Sequence, residues 1–176
     1  MEVLKRIAKT AGERGLSFVV VGGHALNAWG LSRQTCDLDL MVPENEREAW
    51  KEMLHELGYL TPLEQVAFIQ FGPPAPGAWP IDLLVVTLST FAKVEQASVS
   101  TMLSGVSCKI PTVDHLLAMK FHALKHVHGV TTLKYLQDVH GLLALTSRAV
   151  TDDDVRQLCL QHGNQEVYER LFSTSV

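Results

Sequence analysis

The spacing of apolar positions changes several times along the chain, and each change marks an element. Val3, Leu4, Ile7 and Ala8 recur at helical spacing within residues 1–15, where Gly15 acts as a stop. Phe18-Val19-Val20-Val21 is a continuous apolar run ending in Gly22-Gly23, which reads as a buried strand turning sharply into a short helix over residues 24–30. Around Asp37-Leu38-Asp39-Leu40 the pattern alternates, so a strand there places both aspartates on one face and both leucines on the other. A helix from Pro43-Glu44 turns Ala49, Trp50, Met53, Leu54 and Leu57 inward and stops at Gly58. Residues 66–71 form a strand. The proline-rich stretch 72–77 is a loop, because proline lacks the N–H a ladder needs. Residues 79–86 form a further strand, 87–98 a helix and 106–110 a strand.

This order, α-β-α-β-α-β-β-α-β, predicts an α/β (α+β) fold, a mixed sheet with helices stacked on it. From Thr112 onward the pattern is helical, dividing the chain into a core of residues 1–111 and a helical annex of residues 112–176, packed as one compact unit. Leu116, Lys120 and Leu124 repeat every four residues, which puts Lys120 at the border of an apolar stripe. Asp138 stands three residues after Tyr135 and four before Leu142, at a similar border. Lys120 then either contacts a ligand or pairs with Asp138 or another carboxylate between the two helices. Asp138 could also pair with Lys134 on the surface. Asp152-Asp153-Asp154 reads as the acidic first turn of a helix, and two last helices cover residues 155–162 and 165–172.

Length and charge narrow the picture. At 176 residues the chain can bury one sizeable core. A net charge of −4 advertises no polybasic surface, so an RNA substrate would need a local patch. Cys36, Cys108 and Cys159 have no paired spacing, which argues against a disulfide frame or zinc ribbon; Cys36 reads as a small buried residue. With no apolar run of about 18 residues and no signal-peptide core, the expectation is a soluble, cytoplasmic protein without a membrane partner.

The chemistry concentrates between Gly22 and Asp82. Two residues without Cβ just before a helix start let main-chain N–H groups approach an anion, a seat for phosphate. Asp37 and Asp39 on one face offer hard oxygen ligands suited to Mg²⁺. A lone Asp-x-Asp is more often a pair facing water; the upstream glycines favour the metal site. Asp82 opens a strand that can lie beside the first acidic strand and bring a third oxygen. Gly22-Gly23 followed by Arg33-x-Thr35-x-Asp37-x-Asp39 resembles the signature of the polymerase β-type nucleotidyltransferase superfamily. The resemblance implies a nucleotidyltransferase-like sheet, Asp37, Asp39 and Asp82 as catalytic and metal-binding residues, and transfer of a nucleotide from an NTP to a hydroxyl. Arg33 is then a triphosphate contact, or else an ion-pair partner of Asp37 or Glu44. His24 stands where many superfamily members have serine, so main-chain donors or His24 itself would contact phosphate.

Downstream, Pro111-Thr112, Leu116-Leu117, Lys120 and a helix carrying Asp138 resemble the nucleotidyltransferase-type toxins of bacterial abortive-infection toxin-antitoxin pairs. That likeness implies Lys120 as a nucleotide-phosphate contact, Asp138 as a further site residue, an RNA or protein acceptor and an antitoxin partner. The antibiotic-modifying branch of the superfamily implies a small hydroxylated acceptor instead. In either case two Mg²⁺ ions assist displacement at the α-phosphate, while Gly22 and Gly23 seat the β and γ phosphates and Arg33 and Lys120 neutralise pyrophosphate. A non-catalytic nucleotide-binding relative is the remaining alternative, disfavoured by three retained carboxylates. His122 and His126 lie at i, i+4, a spacing that suits zinc, but no Glu stands between them in the metalloprotease arrangement and no third ligand is evident, so a polar helix face is the preferred reading.

Overall fold

The structure, a computed structural model, describes residues 2–173. It forms two compact units that join between Thr112 and Val113. The first contains α1 (Glu2–Glu13), β1 (Val19–Val20), α2 (Gly22–Ala28), β2 (Leu38–Pro43), α3 (Arg47–Glu56) after a 3₁₀ turn at Glu44–Glu46, and β3 (Leu60–Glu64). It continues with β4 (Phe68–Gly72), β5 (Ile81–Val86), α4 (Leu88–Ala97), β6 (Val99–Leu103) and β7 (Val106–Ile110).

Five strands make one mixed sheet in the order β1-β2-β5-β4-β3, and β6 and β7 pair as a separate hairpin. Within the sheet β2 and β5 run parallel, while the other neighbours are antiparallel. Helices α2 and α4 pack against β2, α1 packs against α3 and β7, and β1 lies beside β7. Leu38 and Leu40 are 1% and 0% exposed. Burying each contributes roughly 1.5–3 kcal/mol, which fixes the register of β2: a slip by one residue would drive Asp39 into the core. Met41 and Val42 are buried as well, so the alternation ends where both faces of the sheet are covered.

Two strands were not legible in the apolar pattern. β3 reads Leu-Thr-Pro-Leu-Glu with an exposed or half-exposed side chain at every position, as its place at the sheet edge allows. β6 is similarly open, and α4 lies within the helix expected over residues 87–98, between its caps Thr87 and Ser98. The Thr87 hydroxyl caps α4 by accepting from the Thr90 N–H at 3.3 Å. Cys36 is exposed, contrary to the expected burial, because it lies in the extended segment before β2 rather than in the strand.

The second unit contains α5 (Val113–Leu124), α6 (Val130–Leu145), α7 (Asp153–His162) and α8 (Gln165–Ser173). α5 packs against both α6 and α7, and α7 against α8. Leu116, Phe121, Val139, Leu142, Val155, Cys159 and Leu171 are buried among them. Arg148 ties the start of α5 to the start of α7 by pairing with Asp114 and, at 3.1 Å, with Asp154. Asp154 thus serves as an anchoring charge in the acidic turn. No helix among the described residues is long and apolar enough to cross a membrane.

Candidate active site

Parallel pairing of β2 with β5 sets Asp39 directly beside Asp82. Asp37, two residues before Asp39, projects to the same patch, and one carboxylate oxygen from each of the three lies within 4.8 Å of the others. All three are half-buried. Among the described residues this is the single group of three or more His, Cys, Asp or Glu side chains close enough to share a metal ion.

The turn after β1 is shaped around these acids. Gly22 has φ +60°, and a Cβ there would lie 1.8 Å from Asp39 Oδ2. A Cβ on Gly23 would come 2.6 Å from the Thr35 Cβ. Glycine at both places is therefore a requirement of close approach to the acidic strand, and at Gly22 of backbone conformation too. The Val21 N–H donates to the Asp39 carbonyl at 3.0 Å, drawing the turn onto β2.

Further contacts orient the carboxylates. The Thr35 hydroxyl donates to Asp37 Oδ1 at 2.6 Å. His24, 6% exposed, stacks on Trp79 with ring centroids 5.0 Å apart and donates to the main chain of Asp37. Burial holds the His24 pKa below its ordinary value, against the opposing pull of Asp37. Gln70 lies opposite Asp82 on β4 and donates to its side chain. The Asp82 pKa is raised from its ordinary value, first by burial and then by the Asp37 charge, with the Gln70 bond acting the other way. Its Oδ1 is buried and has no hydrogen-bond partner.

A like-charged cluster with an orphaned buried oxygen fits a hard divalent cation. The donors are all oxygen, the ligand type Mg²⁺ and Mn²⁺ select, and a cation would satisfy Asp82 Oδ1 while removing the repulsion that raises its pKa.

The structure gathers Gly22, Gly23, His24, Asp37, Asp39 and Asp82 in the first unit around this patch. Arg33 belongs to the same unit, where Asn27 grips its main chain through the Arg33 N–H at 2.7 Å and the Arg33 carbonyl at 2.8 Å. Lys120 and Asp138 lie in the second unit and engage each other: Lys120 Nζ is 2.8 Å from Asp138 Oδ2 and 4.3 Å from the centre of the Tyr135 ring. The His122 and His126 rings are 5.4 Å apart between centroids. Trp29, at the C-terminal end of α2, donates from Nε1 to the Pro111 carbonyl at 2.9 Å. Sequence reasoning did not identify Gln70 or Trp79 as neighbours of the acids. Thr35 stood within the quoted motif, but only its hydrogen bond to Asp37 gives it a role.

No protein-family model and no curated protein matches this sequence. Among solved structures, ANT(2")-Ia in complex with adenylyl-2"-tobramycin superposes with TM-score 0.68 at 18% identity over 92% of this chain and 95% of that chain. The lincosamide antibiotic adenylyltransferase LnuA, lincomycin-bound, gives TM-score 0.58 at 12% identity over 81% and 95%. The Megavirus polyadenylate synthase gives TM-score 0.57 at 14% identity over 82% of this chain and 31% of that larger one. At such identities the likeness is one of architecture, and the fold is nucleotidyltransferase-like.

Proposed function

We propose that the protein is a nucleotidyltransferase that moves an NMP from an NTP to an acceptor hydroxyl, with Mg²⁺ as its metal. The observation that carries this reading is the convergence of Asp37, Asp39 and Asp82 within 4.8 Å, with Asp39 and Asp82 opposite each other on paired parallel strands. Asp37 and Asp39 would hold one ion and, with Asp82, a second. When bound, such ions neutralise phosphate charge and lower the pKa of the attacking hydroxyl.

The chain's own groups have distinct parts in the transfer. The acceptor oxygen bonds to the α-phosphorus, the bond from that phosphorus to the bridging β-phosphate oxygen breaks, and pyrophosphate leaves. Asp82 takes the hydroxyl proton. The turn at Gly22 and Gly23 admits the β and γ phosphates to main-chain donors, and Arg33 offsets charge on the departing pyrophosphate.

A small hydroxylated molecule is the acceptor class we favour. Two fold neighbours are named as antibiotic-modifying or antibiotic-bound proteins and are covered over 95% of their length, and a net charge of −4 repels a polyanion. An RNA or protein acceptor, with an antitoxin partner, draws its support from the motif around Lys120 alone. Incubating the protein with each α-labelled NTP, Mg²⁺, and separately an aminoglycoside and lincosamide panel, a metabolite pool and total RNA tests these readings. Label should move to a small hydroxylated compound with release of pyrophosphate. Label on RNA or protein would reverse the acceptor assignment, and Mg²⁺-dependent NTP binding without transfer to any acceptor would leave a nucleotide-binding protein.

A further inference from the structure

His24 is nine-tenths buried, and its neighbours give it a use other than contact with a ligand. One ring face lies on Trp79, at an interplanar angle of 17°. Its ring N–H reaches the main chain of Asp37, and Nε2 is buried without a partner. Trp79 precedes Pro80, whose carbonyl accepts the Leu38 N–H at 3.0 Å, and Asp82 follows two residues later. The imidazole therefore bridges the segments that lead into the two acid-bearing strands. From the other side the Thr35 hydroxyl fixes the Asp37 carboxylate itself at 2.6 Å. Asp37 stands outside the ladder of β2, so these contacts supply the restraint that strand pairing gives Asp39 and Asp82.

We infer that His24 and Thr35 are positioning residues that hold Asp37 in its metal-binding orientation before a cation arrives, His24 through the main chain and Trp79, Thr35 through the carboxylate. This rests on the metal-site reading above. Like-charge repulsion would otherwise turn Asp37 away from Asp82, and a preset carboxylate avoids the ordering cost at the moment of binding.

The test is Mn²⁺ binding to the intact protein, followed by electron paramagnetic resonance, with circular dichroism as a check on folding. Thr35→Val removes the hydroxyl without changing side-chain volume, Thr35→Ser restores it, and His24→Phe keeps the stack but not the donor. Removing such outer partners of a metal ligand typically weakens affinity about 10–100-fold. Thr35→Val and His24→Phe should each bind Mn²⁺ at least about tenfold more weakly than wild type, and Thr35→Ser should stay within about twofold. Unchanged affinity in Thr35→Val and His24→Phe, with binding lost in Asp39→Asn, would overturn the positioning roles and keep the metal site. Binding by Asp39→Asn equal to wild type, or none by wild type, would overturn the metal site and the inference together. Thr35→Val decides the matter should His24→Phe fail to fold, because its side chain is only half-buried.

Discussion

In the first unit Asp37, Asp39 and Asp82 bring three carboxylates of one sign within 4.8 Å, whereas in the second Lys120 and Asp138 bring opposite charges to 2.8 Å. The side chains of that second pair are 13% and 6% exposed, so the charges compensate each other away from solvent, and Tyr135 offers its ring face to the ammonium. The acidic cluster instead leaves one buried oxygen without a hydrogen bond, and burial, with the Asp37 charge second, raises the proton affinity of Asp82. A pair that satisfies itself has the character of a structural fastening; a cluster that repels itself has the character of a place prepared for a cation. The two regions should therefore respond to substitution in opposite ways, one losing function and the other losing stability.

The sharpest separation comes from Asp39→Asn. Its neutral side chain has nearly the same volume and keeps the close fit against Gly22, so folding should persist. Metal-dependent NTP binding should be lost in calorimetry, and any nucleotidyl transfer should fall by at least about a thousandfold, roughly 4 kcal/mol in the barrier. Unchanged binding would make the acidic strand an ordinary solvated edge and erase the contrast.

Lys120→Met should show the reverse. The aliphatic stem is retained, but the buried Asp138 loses its ammonium partner, so thermal or urea unfolding should report a loss of about 3 kcal/mol or more. NTP affinity measured on the folded variant should be unchanged. A variant that melts like wild type but binds nucleotide about tenfold more weakly would return Lys120 to the phosphate-contacting role implied by the sequence motif.

The smallest effect concerns Asp82 in metal-free protein. Its folded-state pKa is raised, so the folded form holds this proton more tightly than the unfolded chain does. The resulting stability is fully present below the unfolded pKa and is lost as pH rises through the raised folded value. At neutral pH Asp82→Asn should therefore raise the melting temperature of metal-free protein slightly, by no more than about 2 °C given partial solvent screening. Below the carboxylate range the advantage should vanish, and with excess Mn²⁺ it should invert, because wild type then gains the ion. A variant less stable than wild type without metal would show that Asp82 is satisfied by its protein neighbours alone.

Local spacing determined much of this molecule. The alternation Asp37-Leu38-Asp39-Leu40 set the inward leucines and the shared face of the two acids, because strand geometry repeats every two residues whatever lies alongside. Glycine at positions 22 and 23 announced a sharp turn, and the helical repeats of α1, α3 and α5 named most of their buried residues, though Ala49, expected inward on α3, is exposed. Spacing does not record partners. That Asp82 falls opposite Asp39 was decided by parallel pairing across a long connection, and the Gly22 requirement by the Asp39 side chain it faces. The same holds for the His24 stack on Trp79 and the closure of Lys120 on Asp138, each joining residues far apart in the chain. The edge strand β3 left no apolar signal because an edge with exposed side chains needs none; only main-chain bonds to β4 make it a strand. Periodicity reports what the backbone repeats, while contact, register and desolvation arise when separate segments meet, and it is there that three ordinary aspartates become a candidate metal site.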